Sequence, residues 1–219
     1  MANIGTNLQT IISNLPKEVT LIAVSKTKPI EAILQAYEEG QRDFGENKVQ
    51  ELLEKIESLP KDIRWHMIGH LQRNKVASII GKTHLIHGVD SERLLREINK
   101  KAKAKDVTVD CLIQIHIAEE ESKFGFDGDE LQEKVKNGFL KEFSNVKVRG
   151  LMGMATNSQD DKKVAKEFSA LNQTYNAMRK NNSEPYFDTL SMGMSGDYEI
   201  AVDSGSNMIR VGSKIFGSR

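Results

Sequence analysis

Lys26 closes the short apolar run Leu21-Ile22-Ala23-Val24-Ser25, and Thr27-Lys28-Pro29 separates it from a helical pattern over 30–39. A lysine at the tip of a buried strand can form a Schiff base, because partial desolvation disfavours the ammonium and leaves some neutral amine to condense with an aldehyde. A solvated surface lysine is the plain alternative in a chain with 31 Lys and Arg. The far end of the chain offers a second chemistry. Ser195-Gly196-Asp197 precedes a short helical pattern, where first-turn amides lack intrahelical partners and the dipole favours an anion. Gly212 allows close backbone approach to a ligand oxygen, and the hydroxyls of Ser195 and Ser213 can donate to it. Ser195 or Asp197 acting only as a helix cap explains the first segment equally well. Two such devices on adjacent loops favour a phosphate. Arg210 shares a strand face with Gly212, either as a core ion-pair partner or as a donor to a ring nitrogen.

The elements that must position these residues alternate. Eight strand patterns, over 20–25, 42–44, 63–67, 85–89, 109–117, 147–152, 188–192 and 208–211, recur roughly every 25 residues. Helical patterns lie over 4–15, 30–39, 48–59, 72–80, 92–104, 129–143, 162–180 and 198–203, with Gly40, Pro60 and Gly81 where helices must stop. The set predicts an α/β fold, a single (β/α)8 TIM barrel over 1–219 with an extra N-terminal helix, slightly shorter than the usual ~250 residues. An open doubly wound sheet is the runner-up. In a barrel, Lys26, Glu46, Asn47, Gly69, Ser195, Gly212 and Ser213 all follow strands and land on one face.

Composition narrows the partners. Basic and acidic residues balance at 31 each, so no overall field attracts nucleic acid or an anionic membrane. The basic run from Lys100 to Lys105 reads as a solvated helix end. Cys111 is the only cysteine and lies in a strand pattern, which excludes an intrachain disulfide. No run approaches the ~18 apolar residues that span a bilayer, and the first twenty residues lack a basic stretch followed by an apolar core. A cytoplasmic protein is expected.

The chain resembles the pyridoxal phosphate homeostasis protein family, single-barrel relatives of the alanine racemase barrel. The likeness runs through Ala23-Val24-Ser25-Lys26-Thr27-Lys28-Pro29, Phe44-Gly45-Glu46-Asn47 and Trp65-His66 leading to Ile68-Gly69-His70-Leu71-Gln72. It continues through His87-Gly88-Val89-Asp90-Ser91, Lys123-Phe124-Gly125, Gly150-Leu151-Met152-Gly153-Met154, the segment from Ser191 to Ser195, and Gly205-Ser206 onward to Arg210, Gly212 and Ile215-Phe216-Gly217. The resemblance implies a fold-type III barrel in which Lys26 holds pyridoxal 5'-phosphate (PLP) as a Schiff base. It implies that Ser195, Gly212 and Ser213 hold the phosphate, that Arg210 faces the pyridine nitrogen, and that Asn47 lines the site. A permanently charged arginine there donates to an unprotonated nitrogen and weakens the ring as an electron sink. His66 stacks on the ring, orients a loop or is purely structural. The sequence departs from the family pattern at His116, where asparagine is usual, and at Asn207, Gly88 and Ser213.

A two-base racemase needs proton-transfer groups on both faces of the substrate carbon, and Lys26 supplies one. In the racemases that the barrel resembles, the other comes from a partner subunit with an extra β domain, for which no residues remain before Arg219. Tyr37, Tyr175, Tyr186 and Tyr198 are not placed at strand tips by any motif. The expectation is a monomeric PLP-binding protein of intracellular PLP homeostasis, with little or no catalysis, that serves PLP-dependent apoenzymes. A racemase of low activity is the alternative. A Schiff-base aldolase would carry its lysine in the middle of the barrel. A metal site among His66, His70, His84, His87 and His116 is disfavoured because Gly69 and a strand break the spacing of the first two.

Overall fold

The computed structural model describes residues 3–119, 124–181 and 186–217. Helix α1 (Ile4–Asn14) precedes β1 (Thr20–Val24), and helices then alternate with strands: α2 (Ile30–Glu38), β2 (Asp43–Glu46), α3 (Val49–Ser58) and β3 (Arg64–Met67). A 3-10 turn at Arg73–Lys75 runs into α4 (Val76–Ile79), followed by β4 (Leu85–Val89), α5 (Glu92–Ala104) and β5 (Val109–Gln114). The second half contains α6 (Gly128–Lys136), β6 (Val146–Met152), α7 (Asp161–Asn181), β7 (Thr189–Met194), α8 (Tyr198–Asp203), β8 (Met208–Val211) and α9 (Ser213–Phe216). The strands form a closed parallel barrel in chain order, and β8 returns to β1 with Ile22 opposite Arg210. Near-continuous apolar runs such as Leu21-Ile22-Ala23-Val24 suit parallel strands buried on both faces. The helices enclose them with residues such as Leu52, Ile98 and Phe168, all fully buried.

The closed barrel settles the choice against an open sheet, and all eight strand patterns are present. Three local expectations are corrected. The helix predicted over 129–143 stops at Lys136 because Gly138 adopts φ 85°, a left-handed conformation, and a 3-10 turn at Phe139–Glu142 follows. The helix predicted over 72–80 is only a 3-10 turn and one α turn, with no side-chain cap at either start. The strand predicted to reach residue 117 ends at Gln114, because the His116 amide leaves the barrel ladder and donates to Phe126 O at 3.0 Å. The four-residue α9 was not foreseen. Lys123 lies outside the described residues.

Candidate functional site

The carboxyl ends of the strands surround a cavity of about 490 Å³. The six positions singled out in the sequence, Lys26, Asn47, Ser195, Arg210, Gly212 and Ser213, all line it. Lys26 lies between two clamped peptides. The Ser25 carbonyl accepts from Lys55 Nζ at 2.8 Å, and the Thr27 amide donates to Glu51 Oε1 at 2.5 Å, with Thr27 itself at φ 62°. Lys55 and Glu51 stand one turn apart on α3, and Lys55 Nζ also reaches Glu46 Oε1 at 2.7 Å, which accepts from Ser25 Oγ at 2.6 Å. Burial raises the Glu46 carboxyl above its ordinary range, opposed by the Lys55 and Ser25 hydrogen bonds. Asn47 is held by close backbone approach, since a Cβ on Gly69 would stand 2.5 Å from Asn47 O.

The opposite wall is built by the loops after β7 and β8. Gly193 at φ 95° folds the end of β7 against α8, where a Cβ would meet Ala201 Cβ at 2.6 Å. Neither Ser195 nor Asp197 caps α8 with its side chain. Ser195 Oγ accepts from the Gly212 amide at 3.0 Å, and Asp197 Oδ1 accepts from the Met194 amide at 2.6 Å. Helix α9 likewise starts at Gly212 without a side-chain cap. Two uncapped helix starts and the hydroxyls of Ser195 and Ser213 therefore border one cavity, an arrangement suited to an anion. Arg210 is buried, and its donors go to Ser191 Oγ at 2.6 Å and Gly153 O at 3.0 Å. Among the described residues no carboxylate pairs with it, so the core ion-pair role is replaced by neutral acceptors. Burial lowers its pKa to about 10, which leaves it charged at neutral pH.

An alanine racemase N-terminal domain model matches residues 1–219. The pyridoxal phosphate homeostasis protein of Vibrio alginolyticus is 36% identical over 237 residues, covering 100% of this chain and 99% of that protein. That of Escherichia coli is 38% identical over 215 residues, covering 93% of this chain and 87% of the relative. The chain belongs to the pyridoxal phosphate homeostasis protein family. PipY of Synechococcus elongatus, solved without and with PLP bound, superposes on this family member with TM-scores of 0.92 and 0.89 at 34% and 33% identity, covering 98% of this chain and 100% of PipY in each case. Alanine racemase of E. faecalis, 17% identical with a TM-score of 0.74, shares the barrel fold, and this chain spans 58% of it.

Against the family pattern, several positions now have definite places. His66 does not line the cavity; it lies inside the barrel between Asp43 and His87. His116 is also absent from the lining. Asn207 ties β7 to the approach of β8, accepting from the Leu190 amide and donating to Asp188 O, each at 2.7 Å. Sequence reasoning gave no cofactor-binding role to five further wall residues, His70, Gln114, Phe124, Met154 and Met194. Gln114 Nε2 donates to Phe124 O at 2.8 Å, and the Phe124 ring stacks on His70 at 4.5 Å between centroids. Met154 and Met194 add apolar wall. His70 Nδ1 lies 2.8 Å from the Asp90 carboxylate, which only accepts, so that nitrogen carries the proton. Position in the motifs around Gly69 and Gly125 was the available signal for His70 and Phe124. Among the described residues no group of three or more His, Cys, Asp or Glu is arranged to hold a metal ion, and no tyrosine lines the cavity.

Proposed function

We propose that this chain binds PLP in the cavity, with Lys26 as the Schiff-base lysine, and that it serves intracellular PLP homeostasis with little or no catalysis. The convergence of Lys26, the anion-binding loops and charged Arg210 on one cavity carries this reading. The residues fit the group. An amine answers the aldehyde, the hydroxyls of Ser195 and Ser213 answer the phosphate with the Gly212 amide orienting Ser195 Oγ and its bare Cα allowing close approach, and Arg210 answers the pyridine nitrogen while Asn47 lines the wall. When bound, PLP supplies an electrophilic carbon and an electron-withdrawing ring. Arg210 keeps its proton at neutral pH, so facing a ring nitrogen it would donate and oppose protonation there, which would limit support for carbanion chemistry. The solved PipY structure with PLP bound, together with the homeostasis proteins that resemble this chain over nearly their full length, supports the assignment.

The same reading makes this a single PLP-binding barrel domain that works as a cytoplasmic monomer and supplies PLP-dependent apoenzymes. Exposed Phe124 and Met194 at the cavity support exchange with solvent. Racemisation at a low rate is the second reading, favoured by His70, which lines the cavity and bonds to Asp90, as a further proton-transfer group. The test is an absorbance spectrum with added PLP beside a Lys26→Ala variant, followed by an amino-acid challenge. A Lys26-dependent band near ~420 nm without turnover supports the binding role. No such band refutes it, and sustained turnover that is lost in His70→Ala establishes the racemase.

A further inference from the structure

The barrel interior holds a hydrogen-bonded chain that ends at Arg210. Asp43, His66, His87 and Ser191 belong to β2, β3, β4 and β7. Because β4 and β7 are not neighbours, the 3.1 Å contact between His87 Nδ1 and Ser191 Oγ crosses the lumen. The donor at each step follows from the carboxylate end once both rings are neutral. Arg210 only donates, so Ser191 Oγ accepts from Arg210 Nη1 at 2.6 Å and keeps both a proton and a second lone pair for His87 Nδ1, 3.1 Å away. His66 carries its proton on Nε2 and donates at 3.1 Å to Asp43 Oδ1, a carboxylate that only accepts. A neutral His66 whose Nε2 proton goes to Asp43 accepts at Nδ1 from His87 Nε2–H, 3.0 Å away, which leaves His87 Nδ1 to accept from the Ser191 hydroxyl. The carboxylate end demands this direction with both imidazoles neutral, and the Arg210 end is compatible with it.

We propose that Asp43, His66, His87 and Ser191 form a positioning chain for Arg210, which locks both histidines as neutral Nε2–H tautomers and holds the guanidinium toward the ring of bound PLP. The proposal deepens the cofactor reading and rests on it for the final contact. Its physical basis is the pairing of Arg210 with neutral acceptors. A row of aligned donors links this buried cation to a carboxylate at the far end, and each polarised bond strengthens the next. Arg64 anchors that end with two hydrogen bonds to Asp43. The surroundings hold the rings neutral. His66 faces Asp43, Arg64, His84 and His87, while His87 faces His66, His84 and Arg210, and burial lowers both pKa values. A proton on His87 would place a second buried cation beside Arg210.

Two measurements decide the matter. Histidine 15N NMR of the protein without PLP should show Nε2–H tautomers at His66 and His87 that do not titrate between about pH 5.5 and 8. An Nδ1–H tautomer on either ring, or titration of His87 in that range, overturns the chain. Ser191→Ala then removes the link to Arg210 with a small volume change. PLP affinity should fall about 5-fold, as for one lost hydrogen bond, and the same substitution should cause no further loss in an Arg210→Lys background. An unchanged affinity, or equal losses in both backgrounds, overturns the positioning role. If the parent protein shows no Lys26-dependent band, the cofactor reading fails instead, and the NMR result still decides the chain.

Discussion

Replacing Lys55 with methionine removes the cation that faces Glu46 while keeping most of the side-chain volume. The pair is closed to solvent, with side-chain exposures of 7% and 0%, and Lys55 Nζ also holds the Ser25 carbonyl and Glu51. Removing one partner of a buried pair leaves an uncompensated charge and typically costs about 3 to 5 kcal/mol. We take about 3 kcal/mol here, because Glu46 retains the Ser25 hydroxyl and can accept a proton. For a barrel of this size that corresponds to a fall in Tm of roughly 6 to 12 °C. The direction with pH follows from Glu46, whose folded carboxyl already binds its proton more readily than usual. Losing Lys55 raises that affinity further, so the variant should recover stability relative to the parent as pH falls from neutral toward 5. Urea unfolding of parent, Lys55→Met, Glu46→Gln and the double variant at two pH values gives the cycle. A loss below about 1 kcal/mol, or a double variant less stable than Lys55→Met, would refute the argument.

The Asp43 carboxyl is brought from its ordinary 3.8 down to about 2, since hydrogen bonds from His66 and Arg64 outweigh the opposing effect of burial. Its stabilisation of about 2 kcal/mol is present above pH ~4 and is lost as pH falls through about 2, so Asp43→Asn should flatten the acid limb of stability measured by urea unfolding. Gly69→Ala would drive a methyl to 2.5 Å from Asn47 O, and we expect about 1 to 3 kcal/mol of destabilisation by thermal melting, together with weaker PLP binding. Phe124→Ala removes a ring that stacks on His70 at the cavity; stopped-flow exchange should show faster PLP release with little change in Tm, because Phe124 is 58% exposed.

The strands were legible because apolar runs such as Leu21-Ile22-Ala23-Val24 recur between helical patterns, and their order fixed which loops share a face. Lys26, Ser195 and Gly212 could be brought together by that reasoning alone. The lumen chain could not, because His66 and Ser191 meet His87 through barrel closure, and nothing in local spacing distinguishes an inward histidine from one at the rim. The break at Gly138 was hidden for a different reason. Apolar residues on both sides kept a helical period, while a single left-handed glycine ended the helix.

The pairing of β1 with β8 gives the site a history in time. Lys26 follows the first strand, and Arg210, Gly212 and Ser213 lie on or after the last, with Ile22 opposite Arg210 across the seam. Lys28 fastens the same seam by donating to Gly217 O at 3.0 Å. During synthesis from the N-terminus, the lysine therefore emerges long before the residues that complete its cavity. A nascent chain can close neither the cavity wall at Gly212 and Ser213 nor the space beside Lys26 until the eighth strand docks. On the proposed reading cofactor capture is thereby reserved for finished barrels, and a ligand held across the seam opposes the opening of β8 by RT ln(1 + c/Kd), which grows with its free concentration c.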